Sequence, residues 1–389
     1  MNKIIVLGGG FAGVETAIRL QKLGHHVTLV SNRDYLFIYP ISIWIPVKKK
    51  SFNDVKIDLE KLKKIHGFDL IIDEVKTIDS KTQTVHLKNR VLEYDYLFIA
   101  LGMHKKQLKG SQYAHSICGH PEESVVIRKE LDKLIAKKTG KIAIGFGVNE
   151  DDPSATAVRG GPAFELLFNF SYYLRKKGLQ DKIELHFFAP MKEPGRRMGQ
   201  KPYDKMDLFF KRYKIIKHIG TGIREIEDKS VVFMDGTRIE SDLTVFIPAG
   251  DGHDVIKQSG LPVNKAGFIK INELCRVKGL ENVYAVGDIA ELGGPKWAAK
   301  QGHIAEVMAD VATFNFHNKI KGKPKRKSYW EQLHIVCLMD SGDGGAFIVR
   351  NRKRDFIIPL PVVGHWMKKG WGFYYKNSKL KKIPRLPGM

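Results

Sequence analysis

Two kinds of residue in this chain have the type and spacing for chemistry: a glycine cluster near the N-terminus and three dispersed cysteines. Lys3-Ile4-Ile5-Val6-Leu7 runs into Gly8-Gly9-Gly10-Phe11-Ala12-Gly13, an apolar strand feeding a glycine fingerprint. Gly8 permits the tight turn, Gly10 lets backbone approach a pyrophosphate, and Gly13 lets a helix pack close to the strand with its N-terminus facing the phosphate charge. The cysteines, Cys118, Cys275 and Cys337, are too few and too widely spaced for a disulfide scaffold or a zinc site. No metal site is expected, and an oxidised pair among them would serve redox chemistry.

The elements needed to position these residues are legible. Val14, Ala17, Ile18 and Leu20 continue the fingerprint as a helix, and Val27-Thr28-Leu29-Val30 returns as a second strand. Ser31-Asn32-Arg33 follows that strand where an acid is usual, so the Ser31 hydroxyl is the candidate ribose ligand. The unit recurs. Thr84 to Leu87, then Asp95 to Gly102, reads as a hairpin feeding a buried strand that ends at glycine, and Ser230 to Phe233, then Asp242 to Gly250, reads the same way with Asp235-Gly236 as the turn. Each copy follows a βαβ start, the second running from Lys141 to Phe188. These patterns predict an α/β chain with two Rossmann-like domains. In the second copy an inserted stretch, Val148 to Arg159, separates Gly145-Phe146-Gly147 from Gly160-Gly161-Pro162, and no acid follows the second strand. That copy is expected not to bind NAD.

The 389 residues carry a net charge of +23, which favours an anionic partner. No zinc-finger, helix-turn-helix or RNA-binding aromatic signature accompanies it, so nucleic acid is not expected. No apolar run reaches the roughly 20 residues that span a bilayer. The fingerprint starts within a few residues of Met1, and the expected location is cytoplasmic.

Gly279-Leu280-Glu281-Asn282-Val283-Tyr284-Ala285-Val286-Gly287-Asp288, taken with the fingerprint and the Ile99-Ala100-Leu101-Gly102 strand end, resembles the pyridine-nucleotide disulfide reductase group of flavoproteins. The resemblance covers roughly residues 1 to 320. It implies bound FAD, held by Gly8, Gly10, Gly13, Gly102, Gly287 and Asp288, the carboxylate meeting the ribityl chain. Within the group, Gly161-Pro162-Ala163-Phe164-Glu165, Gly294-Pro295-Lys296 and Cys337-Leu338-Met339-Asp340 are similar to the sulfide:quinone oxidoreductase and flavocytochrome c branch. That similarity implies sulfide or a related small donor, a quinone acceptor, and catalytic roles for Cys337, Cys118, Glu165, Arg159 and Lys296. One departure stands out: Val158-Arg159-Gly160 occupies the stretch where the branch places a second catalytic cysteine, and no cysteine lies between Cys118 and Cys275. Three readings stay open. Cys337 works with Cys118, or Cys337 acts alone with Arg159 lowering its pKa or attracting hydrosulfide, or the fold uses another donor. The rival activities are a type II NADH:quinone oxidoreductase and a non-catalytic flavoprotein at the membrane surface.

Glu165 has a counterpart in Glu15 of the first repeat, which marks a shared helix position. After Phe316 a basic loop, Lys319 to Lys327, precedes strands expected to cover the flavin. From Val362 to Leu380 a helical wheel places Trp366, Met367, Trp371, Phe373 and Tyr374 on one face and Lys368, Lys369, Lys376 and Lys379 opposite, the pattern of a helix at an anionic membrane surface. A homo-oligomer with two such faces would bind more tightly. The expected organisation is an FAD-binding domain in residues 1–105 and 250–320, a second Rossmann-like domain in 106–249, and a flavin-covering and membrane-attachment region in 321–389. The expected location is peripheral, on the inner face of the cell membrane.

Overall fold

The structure is a computed structural model describing residues 2–385. In chain order its main elements are β1 (Ile4–Leu7), α1 (Phe11–Lys22), β2 (Val27–Ser31), β3 (Asp69–Ile72), β4 (Tyr96–Ile99), β5 (Gly140–Phe146), α2 (Gly160–Lys176), β6 (Ile183–Ala189) and β7 (Ile216–Ile219). There follow β8 (Leu243–Ile247), β9 (Val283–Ala285), α3 (Gly302–Ile320), β10 (Ile335–Asp340), β11 (Gly344–Arg350), β12 (Asp355–Pro361) and α4 (Val363–Lys379).

Two parallel sheets form the body. The first has the order β9-β4-β1-β2-β3, the second β7-β6-β5-β8. Strands β1 and β8 are buried along their whole length, which explains their unbroken apolar sequences: both faces of a parallel sheet are covered. Each sheet carries a three-stranded antiparallel meander that feeds its later strand: Val75–Asp79, Thr84–Leu87 and Val91–Glu93 before β4, and Ile223–Glu227, Ser230–Phe233 and Arg238–Glu240 before β8. The register shifts at the same place in both meanders, between Val75 and Thr77 and between Ile223 and Glu225. The duplication therefore extends to a shared bulge. The sequence reading found two strands of each meander and missed the first, whose alternation is broken by that bulge.

The chain passes between the sheets twice, and the crossings pair: His104–Lys105 lies antiparallel to Gly250–Asp251. Beyond α3, strands β10, β11 and β12 form an antiparallel sheet on which α4 packs. Gly364 of α4 abuts the Gly345 backbone of β11, an approach that a side chain at either position would prevent.

The aromatic stripe of α4 is in part exposed as expected, with Trp366 62% and Phe373 65% accessible, but Trp371 packs against the core. The lysine face differs from the wheel. Lys368 and Lys379 are each only 4% accessible and point into the body, because carboxylates from the two sheet domains wait there. Among the described residues no helix is long and apolar enough to cross a membrane.

Candidate functional site

Where the two fingerprint helices and α4 converge, a cavity of ≈ 1350 Å³ opens. Its lining includes Cys118, Cys337, Arg159, Glu165, Lys300 and His303. Cys118 lies in the loop after the short turn Ser111–Tyr113, and Cys337 sits mid-strand in β10, opposite Ile348 of β11. Residues 219 positions apart in sequence thus reach one cavity, while Cys275 is fully buried away from it in a tight turn at φ +64°. All three thiols are free.

Burial raises the pKa of both cavity thiols, but their charged neighbours differ. At Cys118 Lys105 and Arg159 offset part of that rise. Burial and then the Glu165 carboxylate push Cys337 up to about 12, with Lys368 only partly offsetting them. The charge of Arg159 acts on Cys118, while Glu165 and Lys368 are the charges that act on Cys337.

Glu165 is held on α2, one turn beyond Gly160-Gly161-Pro162. Its Oε1 accepts the Asp340 backbone N–H at 2.8 Å and the ammonium of Lys368. Burial outweighs that lysine and lifts the Glu165 carboxyl above its ordinary range. The counterpart on α1, Glu15, meets Lys379 of the same C-terminal helix, with Arg19 at 2.5 Å and Arg385 at 2.7 Å. Burial alone would raise Glu15, but these three cations hold its carboxyl well below the usual range. The repeated glutamate is thus a pair of anchor points, each gripped by a lysine of α4.

Lys296 is exposed and does not line the cavity. Lys300, four residues later, is buried there, its ammonium donating to the Ala290 carbonyl and lying 4.1 Å from the Phe268 ring centroid. Burial lowers its pKa to about 8. The proline-lysine step marked the segment but missed the lysine that turns inward. Lys105 was missed altogether; burial and then Arg159 depress it to about 8.

The fingerprint glycines behave as their spacing requires. Gly8 adopts φ +112°, and a Cβ there would strike the Ala100 carbonyl; one at Gly13 would strike the Gly8 carbonyl. At Gly10 no described protein atom comes within 4 Å of the Cβ position. Gly102 and Gly287 also take positive φ, +76° and +75°, and Gly287 packs on Ala12, which brings Asp288 to the start of α1. Arg159, at the head of α2, donates to the Asp288 carboxylate. Ser31 lies beside Gly9, yet its Oγ donates to the Arg33 carbonyl at 2.6 Å and accepts the Arg33 N–H. Its hydrogen holds the turn after β2.

Residues 2–309 match the sequence signature of the family described as pyridine nucleotide-disulphide oxidoreductase. The chain belongs to this family. Among pyridine nucleotide-disulphide oxidoreductases it is 26% identical over 401 aligned residues to a sulfide-quinone reductase of Aquifex aeolicus, taking in 96% of this chain and 88% of that protein. It is 25% identical to the mitochondrial sulfide:quinone oxidoreductase of Dictyostelium discoideum, over 85% of this chain and 73% of that one. A type II NADH:quinone oxidoreductase of Staphylococcus saprophyticus is 21% identical, over 88% and 89%. The X-ray structure of the Aquifex aeolicus sulfide:quinone oxidoreductase superposes with a TM-score of 0.85 at 22% identity, over 98% of this chain and 92% of that one. The fold is shared.

Like its relatives in the family, the protein is an FAD-dependent oxidoreductase. The residues present fit that cofactor. The open backbone at Gly10 and the α1 N-terminus, which has no side-chain cap, suit its pyrophosphate, and Asp288, brought against α1 by Gly287, suits its hydroxyls.

Proposed function

We propose that the protein oxidises sulfide, or a related small sulfur donor, and delivers the electrons to a membrane quinone. The observation that carries this reading is the convergence of Cys118 and Cys337 on one cavity with Arg159 and Lys300 in its wall. When bound, FAD supplies the two-electron relay between donor and quinone. The chain's own residues supply the rest. Lys105 and Arg159 offset part of the burial that raises the Cys118 pKa, and their charge attracts hydrosulfide. A thiolate and a hydrosulfide together become a persulfide anion, one proton and two electrons; two electrons and two protons reduce a quinone to its quinol. Glu165, with its raised carboxyl pKa and its Lys368 partner beside Cys337, is a buried group suited to holding and passing one of those protons. Cys118 faces two cations, Lys105 and Arg159, whereas the one cation at Cys337, Lys368, is matched by the Glu165 carboxylate, so sulfur is loaded at Cys118 and Cys337 serves as its companion.

The same reading takes the exposed face of α4 to the membrane interface. Val362, Trp366 and Phe373 are open to solvent and Lys369 lies 4.8 Å from the Trp366 ring centroid, an apolar face with a basic fringe suited to acidic lipid. The second sheet is proposed not to take NAD. The stretch 148–159 separates the glycines at the end of β5 from the head of α2, so the compact phosphate turn of the first copy is not repeated.

Anaerobic mixing of the FAD-loaded protein with sulfide or with NADH, followed by flavin absorbance, tests the assignment. Bleaching by sulfide supports it. Bleaching by NADH alone would transfer the protein to the type II NADH:quinone oxidoreductases, and bleaching by neither leaves the altered-donor or non-catalytic reading.

A further inference from the structure

A second pocket, of ≈ 330 Å³, lies where α1, the helix Leu59–His66 and α4 all end. Its walls carry Lys22, Lys379, Lys381, Lys382 and Arg385 beside His66. Helix C-termini commonly attract cations to their free carbonyls, and two of these groups do that work: Lys381 donates to the Ile65 carbonyl at 2.9 Å, and His66 Nε2 lies 2.7 Å from the Lys379 carbonyl. Lys379 and Arg385 are answered by Glu15. Lys22 and Lys382 make no ion pair among the described residues. The crowding is felt: burial, then repulsion from Arg385, lowers the Lys22 pKa, and burial followed by Lys381, Lys22 and Lys379 lowers that of His66. Lys22 and Lys382, both exposed, add like charge beside the two cations that Glu15 answers, and an anion seated there relieves it.

We propose that this pocket binds a phosphate group, with Lys22 and Lys382 as its principal ligands. It is a site separate from the sulfur chemistry, sharing only Ser378, Lys379 and Arg385 with the edge of the redox cavity. A phosphate there neutralises two ammonium groups that make no ion pair among the described residues, and the ≈ 330 Å³ pocket has room for it and part of its ester. The phosphate comes either from a lipid headgroup, gripped beneath the end of α4, or from a soluble phosphate ester.

The test compares the FAD-loaded wild-type protein with a Lys22→Gln, Lys382→Gln double variant. Inorganic phosphate, at ionic strength matched with chloride, is expected to raise the melting temperature of the wild-type protein, with the half-saturating concentration at least about tenfold higher in the variant. Turnover in detergent stays unchanged. Vesicles of phosphatidylglycerol and of phosphatidylcholine then separate the sources: loss of phosphatidylglycerol binding in the variant assigns a headgroup, and unchanged vesicle binding with altered phosphate response assigns a soluble ester. Equal responses of both proteins to phosphate and to both vesicles overturn the proposal.

Discussion

Replacing Lys368 by methionine keeps the length of the side chain but strands the Glu165 carboxylate, at 7% accessibility, without its cation. Breaking a buried pair from one side costs about 3–5 kcal/mol, a sizeable part of the 5–15 kcal/mol that holds a typical domain together. At about 2 °C per kcal/mol for a large chain, the melting temperature of the FAD-loaded protein should fall by about 6–10 °C at pH 8. The pH dependence follows from Glu165. Its folded carboxyl pKa already lies above the ordinary range through burial, and losing Lys368 lifts it further. A carboxyl raised on folding takes up a proton in the native state first, so its destabilising effect grows as pH rises from the unfolded pKa to the folded one. The deficit of Lys368→Met should therefore shrink on acidification toward pH 5. Adding Glu165→Gln removes the stranded charge and should restore most of the loss. A single variant that melts within 1 °C of wild type, or a double variant no better than the single, would refute the buried-pair reasoning.

Four further outcomes are expected. Glu165→Gln alone removes a carboxylate that raises Cys337, so alkylation of Cys337 followed by mass spectrometry should show its reactivity rising at lower pH than in the wild type, where the thiol stands at about 12. Glu15 is depressed on folding by Lys379, Arg19 and Arg385, so its stabilisation is complete above the unfolded carboxyl pKa and lost as pH falls; Glu15→Gln should flatten the acid limb of the melting profile. Gly10→Ala puts its Cβ clear of the neighbouring protein atoms and should fold while weakening FAD binding, whereas Gly13→Ala collides with the Gly8 carbonyl and should impair folding itself, a contrast read by flavin absorbance against circular dichroism. Cys118→Ser should abolish sulfide-dependent quinone reduction, and full turnover in that variant removes Cys118 from the mechanism.

The sheets were legible because their signals are local. An apolar run, three glycines and a returning strand lie within Lys3 to Val30, and the second copy repeats the pattern well enough to announce itself despite its insertion. The Asp288 turn was legible for the same reason. The ion pairs of α4 were not, since Lys368 and Glu165 stand 203 positions apart and Lys379 and Glu15 stand 364 apart. A wheel ranks lysine as solvent-facing by its side chain alone and has no knowledge of a carboxylate arriving from another domain. Lys296 and Lys300 show the same limit at short range: only the burial of the segment tells which of two lysines turns inward.

The spacing of Lys368 and Lys379 has a mechanical meaning. Eleven residues are just over three whole turns, so both ammonium groups leave α4 on one side about 16.5 Å apart along its axis. Each reaches the same glutamate of a duplicated unit, one on α1 and one on α2. The C-terminal helix is thereby a gauge rod laid across the two halves of an ancient duplication, and the separation between them is written in its pitch. Adding or deleting one residue between the lysines would swing one of them through about 100° and release one half from the rod.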